Sequence, residues 1–104
     1  MVNRVTKFVA DIKGACYNMP AGDAKDVLCE TAEGLLEDIR FLDTTMSYGM
    51  FTVKCLSAQA KCDILVQWLE LVYDANEIDE ATFTRLTEES KTIKEKIPTT
   101  DKKS

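Results

Sequence analysis

Residues 53–75 read VKCLSAQAKCDILVQWLELVYDA, and this segment constrains the structure of the chain more than any other. Apolar residues recur along it at steps of three and four, the spacing of an α-helix, and they form two neighbouring stripes. The first stripe consists of Val53, Leu56, Ala60, Ile64, Trp68, Leu71 and Ala75. The second stripe consists of Cys55, Ala58, Cys62, Leu65, Leu69 and Val72. So wide an apolar surface predicts a helix over about residues 50–75 that is either central in the fold or shared with a second subunit.

The N-terminal segment carries one apolar stripe over about four turns, which predicts a first amphipathic helix. The members of this stripe are Val5, Phe8, Val9, Ile12, Ala15, Cys16 and Met19. Pro20 ends the helix, because a proline pushes the residue before it out of the α region. Asp23 follows in the turn PAGD and is expected to be the N-cap of a second helix that runs to about residue 46.

The second helix shows a seven-residue apolar repeat, which is typical of helices packed nearly along one another. Its members are Leu28, Ala32, Leu35, Ile39, Leu42 and Met46. Gly34 lies inside the repeat and costs about 1 kcal/mol of helix stability relative to alanine. Either another helix approaches closely at Gly34, or the position merely tolerates glycine. We favour the close approach.

The segment YDANEIDEATFTRL, residues 73–86, predicts a sharp turn into a fourth helix. If Asp79 is the N-cap, Ile78 and Phe83 occupy the two positions of a hydrophobic staple, an apolar contact that sets how the chain enters a helix. The fourth helix is then expected over about residues 80–97. This motif would direct the fourth helix back along the third.

Residues 98–104 begin with a proline and end in TTDKKS, so we expect them to form a disordered tail. The links between the four helices are short, and short links favour neighbours that run in opposite directions. We therefore predict an all-α protein with one domain, residues 1–97, folded as an antiparallel up-down-up-down four-helix bundle.

The charge balance is acidic, with 13 basic and 18 acidic side chains and a net charge of −5. This balance disfavours a protein that coats nucleic acid or an anionic membrane unaided. Histidine is absent, which removes the commonest general base and the commonest metal ligand. The chain shows no apolar run of transmembrane length and no secretory leader. We expect a cytoplasmic protein without membrane contact, catalytic residues or cofactor.

The four cysteines, Cys16, Cys29, Cys55 and Cys62, include no closely spaced pair of the kind that binds zinc. We interpret them as small core residues in a reducing compartment. A metal or redox role is the alternative.

The acidic residues Glu30, Glu33 and Glu37 are three and four apart, so they share one face of the second helix. This face is interpreted as solvated, and a docking surface for a basic partner is the alternative.

Basic residues recur on two helices, with Arg4 and Lys7 on the first and Lys91 and Lys94 on the fourth. Phosphate contact is possible at these four positions, but acidic residues are interspersed among them. Solvated faces are therefore favoured over contact with nucleic acid.

The candidate contacts between subunits lie on the third helix and are Leu65, Trp68, Leu69 and Val72.

Three segments together resemble a known family. They are YNMPAGDAKDVL at the end of the first helix, LSAQAKCDILVQWLELVYDANEID in the middle, and EATFTRLTEESKTIKEKI near the end. The pattern, over about residues 5–97, is similar to that of the small four-helix-bundle proteins that include the accessory variability determinant (Avd) of diversity-generating retroelements. The rRNA intervening-sequence proteins belong to the same group.

The resemblance implies an antiparallel four-helix protomer that assembles into a ring, typically a pentamer. It also implies a non-catalytic partner of a retroelement reverse transcriptase and its template RNA, supporting mutagenic cDNA synthesis. Family members that work with RNA are expected to be basic, whereas this chain is acidic. Protein docking and self-assembly are therefore favoured over direct RNA contact. The alternative function is an oligomeric protein–protein interaction bundle that does not touch nucleic acid.

Overall fold

A computed structural model describes residues 1–44 and 47–98, and throughout these residues the regular structure is α-helical. The four helices in the described ranges are α1 (Val2–Tyr17), α2 (Asp23–Leu42), α3 (Tyr48–Asp74) and α4 (Glu80–Lys96). They pack around one core, in a body of 42 × 22 × 22 Å. The prediction of an all-α protein with four helices is confirmed. Met46 of the seven-residue repeat predicted for the second helix and residues 99–104 of the predicted tail lie outside the described residues.

The core collects the predicted apolar stripes of α1 and α2 and one of the two stripes of α3. The buried apolar residues of α1 and α2 are Val5, Phe8, Val9, Ile12, Cys16, Leu28, Ala32, Leu35 and Ile39. From α3 the buried residues are Cys55, Ala58, Cys62, Leu65, Leu69 and Val72, and α4 adds Leu86 and Ile93. Each large aliphatic side chain enclosed in this way contributes about 1.5–3 kcal/mol relative to an exposed one.

The ends of α2 differ from the prediction at both termini. Gly22, not Asp23, is the N-cap, and Asp23 is the first helical residue. Gly22 has a φ of 156°, which side-chain-bearing residues rarely adopt, so glycine is required there. At the other end α2 stops at Leu42 instead of about residue 46. The amides of Asp43 and Thr44 bond back to carbonyls only three residues earlier, which tightens the last turn and closes the helix.

The turn into α4 follows the prediction closely. The Asp79 side chain accepts a hydrogen bond of 2.8 Å from the Thr82 amide, so Asp79 is the N-cap. Ile78 and Phe83 are both half-buried against the core, at the positions predicted for a staple. The Phe83 ring also stacks on Tyr73 of α3 with 4.4 Å between ring centroids, a contact that the sequence did not reveal. This stack fixes the start of α4 against the end of α3.

The turn itself depends on Asn76, which adopts a φ of 62°. The Asn76 amide bonds to the Tyr73 carbonyl and the Glu77 amide to the Val72 carbonyl, the pattern of a Schellman motif. Asparagine is one of the few residues with a side chain that adopts this left-handed conformation readily. The chain therefore leaves α3 and enters α4 through residues 75–79, and the amides of Ala75, Asn76 and Glu77 all bond back to the last turn of α3.

Polar contacts connect each helix to the next. Lys13 of α1 pairs with Glu33 of α2, Lys61 of α3 with Asp38 of α2, and Lys94 of α4 with Asp63 of α3. A salt bridge between Arg4 and Glu89 connects α1 to α4. Inside the core, the Ser90 hydroxyl donates a hydrogen bond of 2.9 Å to the Cys62 carbonyl, which explains a serine in the apolar stripe of α4.

The Asp79 cap yields a prediction about α4 alone. In Asp79→Ala the Thr82 amide loses its acceptor. The amides of α4 should therefore exchange with deuterium faster than in the wild type, and this acceleration should be larger than in α1, α2 and α3. Hydrogen bonds from the Thr82 side chain and then its backbone lower the pKa of Asp79. The contribution of the cap is thus present above the unfolded-state pKa of about 4 and lost as the pH falls through the lower folded value.

Hydrogen exchange followed by mass spectrometry from pH 7 into the acid range would measure both effects. The difference between wild type and Asp79→Ala should shrink in acid. Glu88→Ala removes an exposed carboxylate from the same helix and is the control, with no selective effect on α4 expected. Equal acceleration of all four helices in Asp79→Ala would show that the cap does not act on α4 in particular.

Candidate interaction surface

The outer side of α3 carries a row of apolar side chains in contact with solvent. Val53, Leu56 and Leu71 are 57%, 58% and 56% exposed, and Ile64 is 37% exposed. Ala60 lies between them and is also exposed. We call these five residues the α3 stripe. They belong to the first of the two stripes that the sequence shows in this helix.

The geometry of the helix sets the α3 stripe opposite the core. Val53 and Leu71 are 18 residues apart, which is about five turns, so they point the same way. Cys62 lies midway, about two and a half turns from each, and therefore points to the opposite side, where it is buried. The α3 stripe consequently runs straight along the helix for about 27 Å.

Three of the four predicted subunit contacts lie elsewhere. Leu65, Leu69 and Val72 are at most 2% exposed, because they fill the core of their own chain. Side chains enclosed in this way belong to the core of their own chain, and the apolar side chains of α3 that are exposed are those of the α3 stripe. Trp68 is half-buried at the boundary between the two faces. Both stripes of α3 are equally apolar, and for this reason the sequence did not show which one faces inward.

At the end of the molecule where α2 leads into α3, the apolar surface widens. Phe41 and Met50 are 38% and 44% exposed, and Tyr48 is 72% exposed. The Lys54 ammonium lies 4.7 Å from the centroid of the Phe41 ring, which is within the range of a cation–π contact. Phe41 was not among the predicted contacts, because it lies outside the seven-residue repeat of α2.

Beside the α3 stripe, a polar cluster joins α2 to α3. The buried Asp38 carboxylate accepts hydrogen bonds from the Ser57 hydroxyl at 2.7 Å and the Lys61 ammonium at 2.9 Å. The Lys61 ammonium also donates to the Ser57 oxygen at 2.6 Å, and the Lys54 ammonium lies 3.6 Å from Asp38. Each charge has an opposite partner, which is what a structural ion pair needs. Ser57 and Lys61 are one helical turn apart, a spacing that could have suggested their mutual contact from the sequence but not their bonds to Asp38.

Gly34 makes room for the cluster. A Cβ atom at this position would lie 2.8 Å from Cε of Lys61, so the lysine side chain crosses α2 where a larger residue would displace it. The atoms that approach Gly34 all belong to the end of the Lys61 side chain, so this contact does not show the close approach of a helix that the sequence favoured.

The predicted acidic face is exposed, at Glu30, Glu33 and Glu37. Glu33 is paired with Lys13 of α1 at 2.5 Å. The docking of a basic partner on this face stays a prediction.

The predicted basic positions are partly neutralised. Arg4 donates two hydrogen bonds, of 2.7 and 3.1 Å, to the Glu89 carboxylate, and the bonded carboxylate raises the pKa of Arg4. Lys94 donates to both oxygens of Asp63, while Lys7 and Lys91 are exposed. Two of the four cations thus already have carboxylate partners, which lowers the positive charge available to a phosphate.

Two further properties hold for the part of the chain that the structure describes. Within residues 1–44 and 47–98, no helix combines the length and the apolar character needed to cross a membrane. Over the same residues, no three cysteine or carboxylate side chains are grouped so that they could hold a metal ion.

Comparisons of the chain with protein families, with curated proteins and with solved structures found no match. The resemblance to the Avd family therefore depends on the sequence pattern described above.

The Asp38 cluster predicts that loss of its carboxylate lowers the stability of the fold. Asp38→Ala removes the acceptor of Ser57 and Lys61 and should lower the free energy of unfolding by about 1–3 kcal/mol. Glu37→Ala removes a neighbouring exposed carboxylate and should change it by less than about 0.5 kcal/mol. Urea unfolding followed by circular dichroism measures both values. Equal effects of the two substitutions would contradict a structural role for the buried carboxylate.

Proposed function

We propose that this protein is a non-catalytic helical bundle that assembles with copies of itself through the α3 stripe. The observation that carries the proposal is the exposure of Val53, Leu56 and Leu71 on one side of the longest helix. An aligned row of exposed aliphatic side chains is typical of an interface, whereas single exposed ones are ordinary. Enclosing each such side chain between subunits would gain about 1.5–3 kcal/mol before the costs of association.

The proposal includes the antiparallel up-down-up-down arrangement of the helices, and the cross-helix pairs support it. Between α2 and α3, Asp38 meets Lys61 and Phe41 meets Lys54, so a later position on one helix meets an earlier position on the other. The same order holds between α3 and α4, where Asp63 meets Lys94 and Tyr73 meets Phe83.

Between α1 and α4 the order is again reversed, since Arg4 meets Glu89 and Asp11 meets Arg85. In such an arrangement α2 and α4 flank α3, and its outer side is left for a partner.

The spacing of the α3 stripe supports a second copy as the partner. Val53 and Leu71 are equally far from position 62, and so are Ala60 and Ile64. Two α3 helices crossing in opposite directions at this position would therefore match apolar residues with apolar residues, and the small Ala60 with the larger Ile64. A ring of the kind that the resemblance implies would instead use the α3 stripe against a different surface of the next subunit. The mass of the assembly distinguishes the two forms.

By resemblance, we propose that the assembly serves a retroelement reverse transcriptase in the cytoplasm as an accessory subunit. The support for protein contact is the apolar α3 stripe, and the pairing of Arg4 and Lys94 with carboxylates disfavours direct contact with template RNA. An interaction bundle without any nucleic-acid partner is the second candidate, favoured by the acidic charge of −5.

Self-assembly predicts an effect of charge on the α3 stripe. Leu56→Glu should raise the dissociation constant of the assembly at least about tenfold, because a carboxylate would have to be buried between subunits. Sedimentation equilibrium over a range of concentrations measures this constant. Tyr17→Glu is the control, since Tyr17 is 81% exposed on α1, away from the α3 stripe, and should leave the constant unchanged. A wild-type protein with the mass of one chain at every concentration would overturn the proposal.

If the partner is a protein, we expect the affinity of the chain for RNA to depend only weakly on salt. The purified chain alone should bind single-stranded RNA without the steep loss of affinity with salt that many phosphate contacts produce. A retroelement reverse transcriptase supplied with it should form a complex that survives gel filtration. A steep salt slope for the chain alone, reduced by Lys7→Glu or Lys91→Glu, would show direct RNA contact instead. Absence of any complex with the enzyme would favour the second candidate.

A further inference from the structure

Two of the four cysteines face each other across the contact between α1 and α2. Lys13 of α1 is paired with Glu33 of α2, which fixes the level at which the two helices meet. Only residues 18–22 join these helices, so one turn from Lys13 toward the link leads to Cys16, and one turn from Glu33 leads to Cys29. Cys16 and Cys29 therefore lie at the same level of the α1–α2 contact.

The burial of the two thiols agrees with this placement. Cys16 is 1% exposed, and Cys29 is half-buried and packed against the core beside it. The Cys29 side chain lies near enough to act on the Cys16 thiol. Burial is the larger cause, and the neighbouring Cys29 the next, of a pKa of Cys16 that is raised to about 12. Cys29 is thus the sulfur that a molecule arriving from solvent meets first.

A cation lies near this pair, and burial outweighs its effect at Cys16. The Lys25 ammonium lies one turn before Cys29 on α2 and acts on Cys16 in the direction opposite to burial, by favouring its thiolate. A nearby cation is a common feature of cysteines that exchange with disulfides. Cys55 and Cys62 differ, because they are buried on one helix with about 10 Å of rise between them and cannot bond to each other while α3 persists.

We propose that Cys16 and Cys29 form a reversible disulfide by exchange with small-molecule disulfides such as oxidised glutathione. In the first step the Cys29 thiolate attacks one sulfur of the small disulfide, a mixed disulfide forms, and one small thiolate leaves. In the second step Cys16 loses its proton and attacks the Cys29 sulfur, and the second small thiolate leaves. Two protein thiols are oxidised, and one small disulfide is reduced to two thiols. The new bond would join α1 to α2 covalently.

Tryptic mapping provides the test, because the four cysteines fall on four different tryptic peptides. Cleavage after Lys13, Lys25 and Arg40 places Cys16 in residues 14–25 and Cys29 in residues 26–40. After incubation of the native protein with oxidised glutathione, we expect a cross-linked pair of these two peptides within one chain. Free thiols should remain on Cys55 and Cys62. Addition of dithiothreitol should release the two peptides again.

Two variants distinguish a specific Cys16–Cys29 disulfide from oxidation of any accessible thiol. Cys29→Ser should abolish the cross-link, whereas Cys55→Ala should retain it, and circular dichroism confirms that each variant is helical. Cys29 left as a stable glutathione adduct in wild type, without the link to Cys16, would overturn the proposal. So would links that involve Cys55 or Cys62 as often, or links only between chains. None of these results depends on self-assembly through the α3 stripe, so the two proposals fail or stand separately.

Discussion

The structure depends on the two opposite apolar sides of α3. A helix in a four-helix bundle can turn only one side toward the common core, because the other helices occupy that side alone. The side with Cys62, Leu65 and Leu69 is enclosed, and the side with Val53, Leu56 and Leu71 stays in water. The cost of this exposure is the physical basis for proposing a partner. The rest of the bundle follows from the need to cover the first side.

Polar groups in the interior define how the helices align with one another. Asp38 joins Ser57 and Lys61 across α2 and α3, and Ser90 bonds to the Cys62 carbonyl across α3 and α4. In the described part of the chain every buried side-chain nitrogen and oxygen has a hydrogen-bond partner. A slip of one turn would break these bonds and leave buried groups unpaired, at a cost that apolar packing alone would not impose.

The surface charges affect the choice between a nucleic-acid and a protein partner. Arg4, Lys13, Lys61 and Lys94 all have carboxylate neighbours on another helix, so much of the positive charge is used within the fold. The exposed pairs among them, those of Arg4, Lys13 and Lys94, add little stability individually. These pairs reduce the positive charge that the described surface presents but do not remove it, since Lys7 and Lys91 stay exposed.

The sequence by itself determined the number of helices, the core stripes of α1 and α2 and the Asp79 cap, because each depends on spacing or on residues close along the chain. It also indicated that α3 has more apolar surface than a core requires. Only the tertiary structure decided which side of α3 is buried, since the two sides have similar composition and differ only in what packs against them. For the same reason it moved the candidate interface from Leu65, Leu69 and Val72 to the α3 stripe. The tertiary structure was also needed to find three contacts: the Asp38 cluster, the Phe83–Tyr73 stack and the Cys16–Cys29 pair. Each of them joins residues of different helices, and no local sequence pattern shows how two helices are aligned along their length.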